Sequence, residues 1–256
     1  MRVERRDPTG LVEVWTLDRP QVRNALDAAT FLELARAIDR AAHEPALRAV
    51  ILTADGEAFA AGGDLRELRG ARSAEDGARL ADLGRSVCDG LAALSVPVIA
   101  ALQGAAIGGG SELAIACDLR VAAPGASLCF KHAHMGVTTA WGVMPRLVSL
   151  AGHAGAARLL LTAQTLGASE ALRLGLVDAV SVDAACLPLA ERWAADVVRG
   201  APLAVAGMKA LLRAASRNDA LRALERETFA PTWASADHAD AVEAFFERRS
   251  PRWTGK

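Results

Sequence analysis

Two periods of apolar residues alternate along the chain, and the switches between them predict the elements. Residues 11–17 alternate, with Val12, Val14 and Thr16 on one face, and read as a strand. Asp27 stands where a helix cap is expected, ahead of a stripe formed by Phe31, Leu34, Ala35 and Ile38. Residues 49–53 make a short buried strand. Residues 66–79 are polar, contain Gly70, Ser73 and Gly77, and are expected to form a mobile stretch beside a ligand. Leu80, Leu83, Val87, Leu91 and Leu94 then recur at spacings of three and four, which predicts a long helix. Pro97 forces an extended start to the next strand, residues 98–102. A helix near residues 111–117 and a strand at 119–122 follow. Strand–turn–helix units therefore recur, a layout that suits a spiral as well as a doubly wound sheet.

From about residue 184 the pattern is helical to the end. Leu187, Ala190, Trp193 and Val197 form one stripe and Val205, Met208 and Leu212 another. Asp237 is placed to cap a last helix that carries Val242, Phe245 and Phe246. These apolar faces suit self-association or packing on the chain's own core.

Composition narrows the classes. A chain of 256 residues holds one large domain or a domain with a helical appendage, and 52% hydrophobic residues argue against disorder. The net charge of −1 supplies no general attraction to nucleic acid or membrane, and neither is expected as a partner. The only lysines are Lys131, Lys209 and Lys256, so the cationic side chains are mostly arginines, which can grip a phosphate with two bonds. Cys88, Cys117, Cys129 and Cys186 fit no zinc or CxxC spacing and are expected to be reduced, buried thiols. Residues 1–8 lack the apolar core of a signal peptide, and no run has transmembrane length, so a cytoplasmic protein is expected.

Two glycine-bearing turns carry the candidate chemistry. The first is Phe59-Ala60-Ala61-Gly62-Gly63-Asp64-Leu65, and the second runs from Gly104 through Gly108-Gly109-Gly110-Ser111-Glu112-Leu113. Each is expected to follow a strand and open into a helix. One backbone N–H from each can then converge on a single oxygen, the arrangement that stabilises charge developing on a carbonyl. The second turn is not a P-loop, since no Gly-Lys-Ser/Thr follows. Nor is it a good dinucleotide fingerprint, since Leu113 stands where the last glycine belongs. Taken alone, it also suits a purely structural close contact.

Together with other spaced motifs, these turns resemble the crotonase (enoyl-CoA hydratase/isomerase) family. Leu17-Asp18-Arg19-Pro20 with Arg23-Asn24-Ala25-Leu26 looks like that family's start. Residues 49–53 and 97–101 precede the two turns as they do in the family. Ala168-Ser169-Glu170-Ala171, Gly175-Leu176-Val177-Asp178, Pro202-Leu203-Ala204-Val205 and Lys209 continue it over nearly the whole chain. The resemblance implies an α/β fold, a crotonase-like spiral of ββα units over residues 1–195, and a C-terminal helical oligomerisation region over 196–256. It also implies a homotrimer or hexamer.

For the site, the resemblance implies an acyl-CoA substrate, with coenzyme A as part of that substrate, no tightly bound cofactor and no metal. The N–H groups of Gly63 and Gly109 would hold the thioester oxygen, the Ala61 carbonyl would accept from adenine, and Arg19 and Arg23, beside Asp64, would lie along the CoA. Phe245, Arg248 and Trp253 match the family's last-helix CoA contacts only loosely. Glu112 matches the first of two glutamates that bracket a water in family hydratases. It sits in the first turn of a helix, where the positive end favours an ionised carboxylate, the form a general base requires.

The second glutamate is absent, and His132 occupies its place. Histidine titrates near neutrality and can serve as an acid. Hydratase (lyase) chemistry is expected first on the retained Glu112 and the bulk of the family, although His132 pulls the other way, and the missing glutamate weakens double-bond isomerisation. Phe130-x-His132-x-x-Met135-Gly136 with Trp141-Gly142 also looks like the ethylmalonyl-CoA decarboxylase-like branch. There, loss of CO2 from a malonyl-type thioester leaves an enolate for the same two N–H groups, His132 can protonate it, and Trp141 can desolvate the departing carboxylate. A binder of CoA esters without chemistry is a third expectation. His132 and His134 share a face if their segment is extended, but no Asp, Glu or Cys completes a metal set.

Overall fold

The computed structural model describes residues 1–5, 10–70, 73–215 and 218–254. Six strands form the larger sheet: β1 (Arg2–Arg5), β2 (Val12–Leu17), β3 (Ala49–Ala54), β5 (Val98–Leu102), β7 (Leu119–Ala122) and β10 (Ala179–Val180), ordered β1-β2-β3-β5-β7-β10. Four short strands form a second sheet, β4 (Ala58–Ala60), β6 (Ala105–Ile107), β8 (Ser127–Cys129) and β9 (Thr165–Gly167), in the order β4-β6-β8-β9. Only the pairs β1–β2 and β8–β9 run antiparallel.

Each repeat gives its first strand to the larger sheet and its second to the smaller, then enters a helix. After β3 and β4 come α2 (Leu65–Leu68) and α3 (Ala74–Ala93); after β5 and β6, α4 (Gly109–Ala116); after β7 and β8, α5 (Met144–Thr162), broken at Gly152. This is the expected spiral of ββα units. The β6 strand lies inside, and β4 overlaps, the segments read from sequence as turns, because three residues are too few to show a period.

Burial on both faces holds the larger sheet. Trp15, Leu17, Val50, Leu52, Val98 and Ala100 face one core, which α1 (Ala28–Ala42), α3 and α4 cover. Val12, Val14, Ile51, Ile99 and Val121 face another, covered by Ala190 and Ala194 of α7 (Leu187–Val198). Asp27 caps α1 as expected, its carboxylate accepting from the Thr30 N–H at 2.8 Å. The buried face of α1 runs through Ala37 and Ala41 as well as Phe31 and Leu34.

Three sequence expectations are corrected. The polar stretch at 66–79 is largely helical: α2 occupies its start, and a capping box between Ser73 and Asp76 begins α3 six residues before Leu80. Ala71 and Arg72 lie outside the described residues. Leu83 is 44% exposed, and the buried face of α3 is lined by Gly77, Ala81, Gly84, Val87, Cys88 and Leu91. The last helix is capped by Ser235, and Asp237 instead accepts from the Thr254 N–H and hydroxyl.

The helices after α6 (Ala168–Arg173) and α7 are α8 (Pro202–Ala215), α9 (Asp219–Trp233) and α10 (Ala236–Glu247). Phe229 and Trp233 of α9 join the main core, and α9 packs along α3. The face of α8 that carries Leu203, Met208, Leu211 and Leu212 is exposed. Among the described residues no helix is long and apolar enough to cross a membrane. All four cysteines are free and buried, as expected.

Two ion pairs fasten the outer elements. Lys209 is buried, lies 2.7 Å from Asp118, and donates to the Leu91 and Val96 carbonyls at 3.0 and 2.8 Å. Arg120 is buried against Asp178 at 3.0 Å and donates to the Leu176 and Cys117 carbonyls. Removing one member of a buried pair leaves a charge without compensation. Asp118→Asn is therefore expected to cost about 3 kcal/mol of stability, read as a lower midpoint in urea unfolding. An unchanged midpoint would show that the two carbonyls alone satisfy Lys209.

Candidate functional site

The two glycine turns meet. A Cβ built on Gly62 (φ +91°) would lie 2.9 Å from the Ile107 carbonyl oxygen and 3.3 Å from the Gly109 nitrogen. One on Gly110 would lie 2.1 Å from the Ala60 carbonyl oxygen, a contact that no side chain tolerates. Glycine is thus required for backbone to lie on backbone. The Leu26–Gly63 bridge uses the Gly62 carbonyl and the Asp64 N–H and passes over the Gly63 N–H. Gly109 is the first residue of α4, so its N–H is one of those a helix start leaves without an intrahelical acceptor.

Glu112 lies one turn into α4 and is 1% exposed. Its Oε2 accepts from the Trp141 N–H at 3.0 Å, and its Oε1 lies 3.0 Å from Nε2 of His132. An ionised carboxylate only accepts, so with Glu112 ionised Nε2 carries the hydrogen. The other ring nitrogen of His132 is buried without a hydrogen-bond partner. His132 and Glu112, twenty residues apart in sequence, therefore form a hydrogen-bonded pair at the two turns. The segment after His132 is a 3-10 turn, Ala133–Met135, not extended backbone, and His134 is exposed. Among the described residues no three His, Cys, Asp or Glu side chains gather as metal ligands would.

Trp141 is buried between helices. A Cβ on Gly84 of α3 would meet its ring at 2.2 Å and one on Gly109 at 2.1 Å, while Phe31 of α1 meets it edge-on with centroids 5.4 Å apart. Arg19 is engaged within the chain, 2.9 Å from Asp27 and 3.0 Å from Asp64. Asp64 in turn caps α2 through the Arg66 N–H at 3.1 Å. Arg23 is exposed, with left-handed backbone at φ +54°, and its carbonyl accepts from the Ala61 N–H at 3.0 Å. Phe245 and Trp253 are about half exposed.

One charged group here has no sequence signal. Glu225 of α9 is 5% exposed, and neither carboxylate oxygen closes a hydrogen bond of normal geometry. Burial, and then the negative charge of Glu112, push its carboxyl up to about 7, against smaller opposing effects of Thr139, Arg85 and the Gly142 N–H. Sequence reading places it only within a helical C-terminal region, and the packing of α9 on α3 turns Glu225 inward.

The comparisons agree with this architecture. The family model described as Enoyl-CoA hydratase/isomerase matches residues 8–256. The short-chain-enoyl-CoA hydratase of Clostridium acetobutylicum is 37% identical over 243 residues, spanning 94% of this chain and 93% of that protein. The crotonyl-CoA hydratase of Syntrophomonas wolfei is 34% identical over 243 residues, with 94% and 93% covered. The crystal structure of enoyl-CoA hydratase/isomerase from Pseudoalteromonas atlantica superposes with a TM-score of 0.84 at 30% identity, covering 95% of this chain and 96% of that one. That of enoyl-CoA hydratase from Bacillus anthracis gives 0.80 at 31% identity, covering 100% and 99%. The paired glycine turns, the ββα spiral and these matches over nearly the full length have one reading: the chain belongs to the enoyl-CoA hydratase/isomerase family.

Proposed function

We propose that the protein hydrates a 2-enoyl-CoA thioester, and the observation that carries this reading is the 3.0 Å pair of Glu112 and His132 beside Gly63 and Gly109. The thioester oxygen would accept from the Gly63 and Gly109 N–H groups. Donors aimed at a developing oxyanion are each worth about 3 kcal/mol in the transition state. Glu112 would take a proton from water as the hydroxyl oxygen bonds to C3. The C2=C3 π pair then moves toward the carbonyl as an enolate, and His132 in its protonated form gives a proton to C2. The hydrogen bond between the two side chains gives a path for the proton on Glu112 to return to His132. One water is added, and both groups recover their starting state.

Hydratase names among the relatives support hydration over decarboxylation. The rest of the reading follows the same lines. Ala61 would receive the adenine amino group, and exposed Arg23 would meet a CoA phosphate. Arg19, already paired, would contribute by fixing Asp64 and the first turn. Trp141 would wall the acyl side of Gly109. No tightly bound cofactor is required. Residues 1–195 would carry the site and 196–256 the self-association surface, with α8's exposed Leu203, Met208, Leu211 and Leu212 as its apolar face. Free buried thiols suit the reducing cytoplasm.

A mass-spectrometric time course with crotonyl-CoA and ethylmalonyl-CoA together tests the reaction. Gain of water on the first ester is expected. Loss of CO2 from the second instead would give the decarboxylase reading, and binding of both esters without change would leave a non-catalytic binder. Glu112→Gln should lower kcat by about 1000-fold with a small change in KM. Gly109→Pro, which removes the proposed donor, should lower turnover by a factor of at least about 100; intact turnover in that variant would refute the oxyanion assignment. Sedimentation equilibrium should return a trimer or hexamer, and a monomer at micromolar concentration would remove the self-association reading.

A further inference from the structure

We infer that Glu225 is a second acidic group of this site, a positioning carboxyl that acts on the reaction through its shared charge with Glu112. The inference rests on the hydration reading for its kinetic consequence, and on packing alone for its existence. Glu225 reaches the site from the C-terminal helices, far in sequence from Glu112 and His132. It is 5% exposed, and its two oxygens are buried without a hydrogen-bond partner. A side chain in that state is costly to keep, and Thr139, Arg85 and the Gly142 N–H offset its burial only in part, which calls for another role.

The surroundings identify that role. Trp141 donates its N–H to Glu112, and the N–H of the next residue, Gly142, faces Glu225, so the two carboxyls flank one stretch of backbone. From α3, Arg85 and Cys88 face Glu225; Arg85 also donates to the Ala140 carbonyl at 3.1 Å, and the Cys88 thiol is pushed up by burial first and then by the charge of Glu112. At the rim, Asp82 of α3 pairs with Arg226 at 3.0 Å. The arginines of α5 are spent elsewhere: Arg146 on the Ile115, Ala116 and Cys117 carbonyls, and Arg158 on Glu170. From α10, His238 stacks on Trp233 and bonds the Met135 carbonyl. Glu112 is thus the buried acid that faces Glu225 most directly.

Two like charges in one dry site resist ionising together. Glu112 holds two hydrogen bonds at a helix start, while burial and the charge of Glu112 push the Glu225 carboxyl up to about 7, so Glu225 gains its charge only near neutrality. Above that pH a second negative charge enters next to the place where the enolate forms, and turnover should fall. Glu225 would then make the activity of this enzyme sensitive to pH near neutrality without touching the substrate.

The test combines an activity-independent measurement with a kinetic one. Carboxyl 13C titration of Glu225 in the intact protein is compared with the same titration in Glu112→Gln. The Glu225 midpoint should drop by at least about 0.5 pH unit once the facing charge is gone; an unmoved midpoint overturns the inference. In parallel, kcat for crotonyl-CoA is followed from pH 6 to 9. The wild type should lose about fivefold more across pH 7 than Glu225→Gln and Glu225→Met, which keep only the dependence on the proton that His132 donates, and Glu225→Asp should keep the wild-type profile. A purely structural role would instead lower kcat of the neutral variants at every pH and leave the shape unchanged, which also overturns the inference. If the wild type hydrates no crotonyl-CoA, the hydration reading fails by itself, and the carboxyl titration alone decides whether Glu225 and Glu112 share charge.

Discussion

The closest constraint in this molecule is the approach of two backbone turns that leaves no space for a side chain. Gly110 packs on the Ala60 carbonyl and Gly62 on the Ile107 carbonyl and the Gly109 nitrogen. That approach sets the distance between β4 and β6, and with it the stacking of successive repeats. It also aims the start of α4 at the first turn, so Glu112 is carried into a buried position where its oxygens must find donors. Trp141 supplies one from its backbone and His132 the other. The fold and the candidate site therefore share one origin.

The price in buried charge is met unevenly. Lys209, Arg120 and Glu112 are buried and fully bonded, and each ties segments distant in sequence. Glu225 is buried and has no such bonds. A charged group that is satisfied reads as architecture; one that is not marks a place where stability has been given up. That contrast separates α9 from α8, whose buried Lys209 is paired, and from α10, whose buried His238 bonds the Met135 carbonyl.

Much of this was legible in the sequence, for reasons that differ by element. β5 is fixed by Pro97 at its start and by its apolar run, and β7 by its place after a helix, although Arg120 interrupts its apolar residues. The glycines of the two turns could be found because close approach admits no other residue. The start of α3 was missed, since its first turn is charged and its cap, Ser73, reads equally as part of a loop. Leu83 fits the apolar spacing yet is exposed, because the buried face of α3 runs through Gly84, against which Trp141 packs. His132 was found by its place among the motifs. Its partnership with Glu112 depends on the 3-10 turn that follows it, and the burial of Glu225 depends on how α9 packs on α3, which are distant in sequence. Neither leaves a trace in local periodicity.

The ring of Trp141 has a consequence for how this chain can change. It fills the gap between Gly84 on one helix and Gly109 on another, with each glycine about one methyl group too close for anything larger. The three positions hold a fixed volume among them. A larger residue at 84 is admissible only with a smaller one at 141, so the two sites are free to vary only as a pair. Gly109 is excluded from that exchange by its backbone position. Exchange of volume between 84 and 141 would redraw the wall beside Gly109 while leaving the turns themselves in place.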